Sequence, residues 1–410
     1  MIPIDEAAAI ILAHCPVPIP VERPLLDAAG FALAREITAD ADVPPFPRAM
    51  MDGFAVIADD ARRVPVTLQV VDTLPAGTAA AAPLRSGCAA KIMTGAPLPP
   101  GADAVQKKEV CREREGGAVE ILEPAAAGLN IAAPGSEFPA GARLFEAGHV
   151  LSPSDLGVLA IFGHARVPVF RKPSLCLINT GSELVDVDRP LHGGKIRNSN
   201  LYSVASFYRA NGFACEPLGI VADEPESIRA AIRAAADRFD VVLLTGGVSV
   251  GEFDLVQAAM RAEGYEVLVN AIAIKPGKPM TFALRGDRLL FGLSGNPVSS
   301  LVQSARFALP ALRKMAGWAD PGPAFVTACL AEPAKHRADR TAYRPARLSE
   351  EGGRLVCRLL RDKGSADLFA WREVNALAVL PAGQADVPAG GRVRAMVLDG
   401  YPSDRSITGR

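Results

Sequence analysis

Asp240-Val241-Val242-Leu243-Leu244-Thr245-Gly246-Gly247-Val248-Ser249-Val250-Gly251-Glu252-Phe253-Asp254 is the stretch that decides the fold. It opens on a short, unbroken apolar run, the pattern of a strand buried on both faces. A loop with three glycines follows, over 245–252, and leads into a helix predicted near 254–262. The same grammar repeats on either side. Upstream, Ser174-Leu175-Cys176-Leu177-Ile178 is an apolar strand running into Asn179-Thr180-Gly181-Ser182-Glu183. A helix over 200–211, a strand near 215–220 and a helix over 223–238 come next. Asp223 reads as the cap of that last helix, because Glu226 stands three residues on at capping-box spacing. Downstream lie strands at 266–274 and 288–293 and a helix over 299–316. This alternation predicts a mainly parallel sheet covered on both faces, with ligands bound where its strands end.

The flanks read differently. Residues 4–14 form an opening helix ended by Pro16 and Pro18. From there to about residue 145 the chain is broken by Pro and Gly into strand-like pieces such as Phe54-Ala55-Val56-Ile57, which predicts a β-rich lobe. After Asp320-Pro321 the helices stop, and short alternating strands over 322–398 predict a small barrel or sandwich. With 410 residues, the chain is expected to divide into two to four folded units.

Composition narrows the function. Lys and Arg number 44 against 45 Asp and Glu, so the whole chain carries no footprint for nucleic acid or an anionic membrane. The 37 glycines and 34 prolines have no collagen-like period and mark tight turns. Seven scattered cysteines without a C-x-x-C pair argue against a disulfide framework or zinc knuckle. Neither a signal peptide nor an apolar run of membrane-spanning length stands out, and a reducing cytoplasm is the expected home.

Three loops could carry chemistry. The Gly246-Gly247-Val248-Ser249-Val250-Gly251 turn lets backbone N–H groups approach an anion, although a plain tight turn explains it equally well. It lacks the G-K-[ST] ending of a nucleotide P-loop. Ile274-Lys275-Pro276-Gly277-Lys278-Pro279 holds two lysines in a proline frame, which favours anion binding over mere solvation. In Gly295-Asn296-Pro297-Val298-Ser299, helix capping by Asn296 or Ser299 and ligand binding are equally good readings. Glu183, Asp223 and Asp254 follow strands, where carboxylates could hold Mg²⁺. For Asp223 alone, helix capping is favoured. In the first lobe, turn chemistry alone accounts for Met51-Asp52-Gly53-Phe54 and for Ile92-Met93-Thr94-Gly95-Ala96-Pro97.

Taken together, these fragments resemble the molybdopterin molybdenumtransferase family, which includes the C-terminal domain of gephyrin. The match runs through Met51-Asp52-Gly53-Phe54-Ala55-Val56, Ile92-Met93-Thr94-Gly95-Ala96-Pro97 and Thr180-Gly181-Ser182-Glu183-Leu184. It continues through Gly246-Gly247-Val248-Ser249-Val250-Gly251-Glu252 with Asp254, Lys275-Pro276-Gly277-Lys278-Pro279, and Gly295-Asn296-Pro297-Val298-Ser299. Six motifs in the family's order are far more specific than any one glycine loop. The chain departs from the family's usual pattern at Phe46-Pro47-Arg48-Ala49-Met50, at 130–137, and at Asn198 where an Asp is frequent.

The resemblance implies an α/β multidomain subunit. Residues 1–37 with 142–170 would form an α/β linker domain and 38–141 the β-rich lobe. Residues 171–317 would form the parallel-sheet molybdopterin-binding domain and 318–410 a C-terminal small β-barrel. It further implies a cytoplasmic homodimer that inserts molybdate into adenylylated molybdopterin with Mg²⁺, releasing AMP, and exchanges material with a molybdopterin adenylyltransferase and molybdoenzymes. Asp52, Thr94, Glu183 and Asp254 would be catalytic, with Glu183, Asp223 and Asp254 near the metal. Gly246, Gly247, Ser249, Gly251, Lys275, Lys278, Asn296, Pro297, Arg344 and Ser365 would bind substrate or anion. Two rivals are a non-catalytic pterin carrier or scaffold, and a nucleotide-pyrophosphate hydrolase built on the same α/β domain.

Overall fold

In the computed structural model the chain forms two compact units, Met1–Ala34 with Gly148–Leu156 and Arg166–Arg410, and Arg35–Ala147 with Gly157–Ala165. The structure describes residues 1–247, 255–336, 339–361, 363–384 and 386–401. Ser249, Gly251 and Asp254 lie outside the described residues.

The first unit is built on a six-stranded sheet in the order Cys215–Val221, Leu175–Thr180, Val241–Thr245, Arg288–Leu293, Pro279–Arg285, Glu266–Ala271. The first four strands run parallel and the last two pairings are antiparallel, so Pro279–Arg285 alone runs against the other five. Side chains alternate between two cores, as the strand period of two requires. Leu175, Leu177, Val241, Leu243 and Phe291 pack on one face, and Cys176, Ile178, Val242, Leu244 and Leu290 on the other. Both faces are covered, which is why the strands read as continuous apolar runs.

The structure corrects three local expectations. Strand 266–274 ends at Ala271, and the Pro279–Arg285 strand, absent from the sequence reading, joins Arg288–Leu293 across Gly286-Asp287. Pro279 disguised it, yet a proline is tolerated as the first residue of a strand. The last helix runs from Pro297 to Met315 with a wide π-type turn at Ser304–Ala308. That turn accommodates Pro310, whose ring would strike the carbonyl four residues earlier in a regular helix. Asp223 does not cap: helix Pro225–Ala236 begins after Glu224, with Pro225 supplying the helical φ of the first position.

In the same unit, five strands close into a barrel. Thr341–Glu351 pairs with Arg354–Leu359, which is followed around the barrel by Phe325–Leu330, Arg392–Val397 and Ala376–Leu380; the last returns to Thr341–Glu351. Inward-facing Ala342, Ala346, Leu348, Cys357, Ala378 and Ala395 fill it. Ile274–Lys275 pairs in parallel with Thr341-Ala342, tying the Lys275 loop to the barrel.

The second unit contains another six-stranded sheet, in the order Ala104–Lys107, Gly53–Val56, Cys88–Ile92, Val66–Leu74, Ala118–Ile121, Cys111–Arg114. Phe54, Val56 and Leu68 enter one core, and Ala55, Ala90 and Ile92 the other. Gly53 is required there by close approach: a Cβ on it would lie 2.0 Å from the Gln106 carbonyl oxygen.

Candidate functional site

The parallel strands Leu175–Thr180, Val241–Thr245 and Arg288–Leu293 all end at one cleft. It has a volume of about 770 Å³, and its walls include Thr180, Glu183, Asn198, Asn200, Asp223, Gly246, Gly247, Asn296, Pro297 and Phe369. Gly246 allows the Val241–Thr245 strand to turn there. It has a φ of +93°, and a Cβ would lie 2.2 Å from the Thr180 carbonyl oxygen. Helix Ser199–Ala210 starts at the cleft, where the Asn198 side chain accepts from the Leu201 N–H at 3.2 Å. Asn200 Nδ2 donates to the Gly295 carbonyl at 2.8 Å.

Asp223, freed from capping, turns toward this wall, and its Oδ2 accepts from the Ser182 N–H at 3.1 Å. Its Oδ1 is buried without a protein partner, as are Thr180 Oγ1, Asn198 Nδ2 and Asn200 Oδ1. Native walls seldom leave so many buried polar atoms unpaired in one place, and such a concentration marks a surface adapted to polar occupants or ordered water. Glu183 and Asp223 therefore stand in one cleft. Among the described residues no group of three His, Cys, Asp or Glu side chains is arranged to hold a metal.

A second cavity, of about 560 Å³, shares Pro279, Ser294 and Asn296 with the first. Lys275, Lys278, Lys335, Arg340 and Arg344 line it along with His336, Tyr343 and Ser365, and among the described residues no carboxylate does. The Lys275–Pro279 loop supplies one wall and strand Thr341–Glu351 the other, so the pairing of Lys275 with Ala342 assembles a cationic chamber. Arg340 also pairs with Asp339 at 3.2 Å. Such a chamber favours a compact multivalent anion, because its charges are fixed before the anion arrives.

Asp52 and Thr94 sit at the ends of neighbouring strands in the second unit, where Gly53 pairs with Ile92. Asp52 Oδ1 accepts from the Thr94 N–H at 2.8 Å and from its hydroxyl at 2.7 Å. The backbone bond first, then the hydroxyl bond, hold the Asp52 carboxyl below its ordinary range, so it is ionised near neutrality. Lys108 Nζ stands 3.8 Å from Oδ2.

The structure thus gathers Glu183, Asp223, Gly246, Gly247, Asn296 and Pro297 in the first cavity. Lys275, Lys278, Arg344 and Ser365 gather in the second, together with Asn296. Asp52 and Thr94 are joined to each other. Asn296 occupies the cap position of its helix but makes no capping bond through its side chain, and Ser299 lies inside the helix. Sequence reasoning missed Asn198 and Asn200 as cleft residues, and Lys335, His336 and Arg340 as chamber residues. Their one legible signal was cationic density ahead of a barrel strand. Burial pushes the thiols of Cys15, Cys176, Cys215 and Cys357 up to about 12, which leaves these four protonated and unreactive near neutrality.

These features define a multidomain α/β protein whose two adjoining cavities, one polar and acidic, one cationic, meet at the carboxyl ends of a mainly parallel sheet. Three family models cover it in order. The MoeA N-terminal region (domain I and II) matches residues 2–163, a probable molybdopterin binding domain residues 176–314, and the MoeA C-terminal region (domain IV) residues 327–398. A molybdopterin molybdenumtransferase of Bacillus subtilis is 35% identical over 373 residues, which is 89% of this chain and 87% of that one. One from Staphylococcus aureus is 32% identical, covering 92% and 90%. The crystal structure of the molybdopterin biosynthesis MoeA protein from Pyrococcus horikoshii matches with a TM-score of 0.81 at 30% identity, over 97% of this chain and all of that one. The chain belongs to the molybdopterin molybdenumtransferase family.

Proposed function

We propose that this chain is a transferase of molybdenum cofactor biosynthesis, inserting molybdate into the dithiolene of adenylylated molybdopterin and releasing AMP. The carrying observation is the juxtaposition of a chamber lined by Lys275, Lys278, Lys335, Arg340 and Arg344 with a larger polar cleft, the two meeting at Asn296. Both substrates are anions, so bringing them together requires fixed positive charge and backbone donors. In this reading the chamber holds molybdate through Lys275, Lys278, Arg344 and Ser365. The cleft holds the pterin and its phosphates along Gly246, Gly247, Asn296 and Pro297, and Ser249 and Gly251, which follow in the sequence, are proposed to add donors.

Two carboxylates of the cleft, one with an unpartnered oxygen, fit a Mg²⁺ that keeps waters and takes substrate phosphate oxygens. Glu183 and Asp223 would hold it, joined by Asp254. The ion, when bound, would neutralise the phosphoanhydride during its cleavage. Asp52, held ionised by the two bonds from Thr94, supplies a preorganised carboxylate from the second unit that positions a proton or a water. We read the chain as one half of a homodimer, with the four-part division 1–37 with 142–170, 38–141, 171–317 and 318–410. A cytoplasmic setting fits the unpaired cysteines, and no described helix is long and apolar enough to cross a membrane. Hand-over from a molybdopterin adenylyltransferase and to molybdoenzymes would complete the route.

The deciding experiment incubates the purified protein with adenylylated molybdopterin, molybdate and Mg²⁺, following AMP and the reconstitution of an apo-molybdoenzyme. AMP release that depends on molybdate, with active cofactor formed, is the expected result. AMP release indifferent to molybdate would make the chain a hydrolase. Tight pterin binding with no AMP would make it a carrier.

A further inference from the structure

Between the Lys275–Pro279 loop and the Ser294–Asn296 turn, both of which border the cationic chamber, lies one side chain that touches neither solvent nor cavity. Gln303, the last residue of the helix turn Pro297–Gln303, is fully buried. Its amide makes three hydrogen bonds of good length. Nε2 donates to the Gly277 carbonyl at 2.8 Å and to the Pro279 carbonyl at 2.7 Å. Oε1 accepts from the Ser294 N–H at 2.8 Å. The two carbonyls flank Lys278, and Ser294 opens the turn that presents Asn296. One amide therefore fixes the peptide on both sides of a chamber lysine, and at the same time sets that lysine's distance from the turn shared by both cavities.

The arrangement is specific to glutamine. Holding two carbonyls and one N–H from a single buried point takes two donors and an acceptor on one planar group of this length, which only a primary amide supplies. The neighbourhood is also filled to contact. A Cβ on Gly277 would stand 3.0 Å from Gln303 Nε2. The loop is further closed by the Ile272 N–H, which donates to the Lys278 carbonyl at 3.0 Å.

We propose that Gln303 is a positioning residue for oxyanion binding, setting the spacing between the Lys275–Pro279 loop and the Ser294–Pro297 turn so that their donors converge on one anion. The proposal rests on the molybdate reading of the chamber. Loss of hydrogen bonds beneath a binding loop lets its donors wander, and the cost falls on affinity before it falls on turnover.

Two variants and two measurements test it. Gln303→Met keeps the volume and removes all three bonds. Gln303→Glu keeps the shape and the acceptor but removes the donors while it is ionised. Equilibrium dialysis with molybdate alone should show affinity weakened about tenfold or more in both variants. The KM for molybdate should rise in parallel, with kcat at saturation nearly unchanged. In Gln303→Glu, where burial raises the carboxyl pKa, the deficit relative to the parent protein should shrink between about pH 8 and about pH 6, as protonation restores one donor. The rise in KM without loss of kcat is the readout that a merely structural role would not produce. Hydrogen exchange of the backbone amides at 277–278 and 294–296, measured without any ligand, should be faster in both variants. Parent-like molybdate affinity in folded variants would overturn the proposal, as would unchanged exchange in those two segments. If the parent protein binds no molybdate, the molybdate reading itself fails, and the exchange rates still decide whether Gln303 sets the loop spacing.

Discussion

Asp240 separates what holds the fold from what serves the site, and its replacement by asparagine has an outcome that can be worked out. It sits before strand Val241–Thr245, at the opposite end of that strand from Thr245 and the cleft. Its carboxylate accepts from Arg171 at 2.6 and 3.3 Å, from Arg288 at 2.8 Å, and from the Ser174 N–H and hydroxyl at 2.7 and 2.8 Å. Burial opposes its ionisation, but the Arg171 pair and the two Ser174 bonds outweigh burial and hold the carboxyl at about 2, against an ordinary 3.8. That shift corresponds to about 2 kcal/mol of stability, since each pKa unit is worth about 1.4 kcal/mol. The side chain is 14% exposed, so little of this is lost to screening. Because the folded value is the depressed one, the stabilisation is fully present above about pH 5. It falls to roughly half near pH 3 and is gone by about pH 1. Urea unfolding of the parent and Asp240→Asn at a series of pH values should therefore show a gap of about 2 kcal/mol at neutrality that closes on acidification. Molybdate affinity at pH 7 should not change. A gap that stays constant down to about pH 3 would refute the linkage argument, and a loss of molybdate affinity would refute the separation of fold from site.

Asp52→Ala should lower cofactor formation by about 10²-fold while lowering the thermal midpoint only slightly, because a half-exposed turn carboxylate contributes little packing beyond its two Thr94 bonds. Unaltered turnover would remove Asp52 from the reaction. Lys275→Ala should weaken molybdate binding about tenfold at low salt, and the difference should narrow as salt rises. A salt-independent loss in dialysis would point to a packing defect instead. Iodoacetamide at neutral pH should leave Cys15, Cys176, Cys215 and Cys357 unmodified until the protein is unfolded, and mass spectrometry of the labelled peptides checks this.

The architecture was largely legible because periodicity is a one-dimensional signal. Alternation between the cores of Leu175 and Cys176, repeated in Val241 and Val242, appears in the sequence as an unbroken apolar run. The Pro279–Arg285 strand escaped because its first residue is a proline, although the Gly286-Asp287 pair that follows is a hairpin turn signal. Asp223 was misread for a different reason. The spacing to Glu226 was right for a capping box, but Pro225 preset the helix start one residue later, and the displaced carboxylate swung to the Ser182 N–H. A local rule gave way to a proline that the rule does not weigh. Asn198 and Asn200 carried no signal, since an asparagine at a helix start reads as a cap wherever the helix lies. Gln303 is the extreme case: nothing in Leu301-Val302-Gln303-Ser304 hints at partners 24 and 26 residues away.

The division of charge between the two cavities has a chemical consequence of its own. Among the described residues, lining carboxylates occur in the larger cleft and are absent from the smaller chamber. In the proposed reading, a divalent cation and an oxyanion would thereby be sorted before either meets the other. Were Glu183 placed beside Lys278, the two would pair internally and neither charge would be free for a ligand. Separation alone would leave the two occupants too far apart to react. The shared wall of Pro279, Ser294 and Asn296 removes that difficulty, because the residues that divide the cavities also border both. Geometry at this wall, rather than the number of charges on either side, then governs how closely the occupants approach. That is why a buried amide bonded to Pro279 and Ser294, though it touches no ligand, has leverage over how firmly the chamber holds its anion.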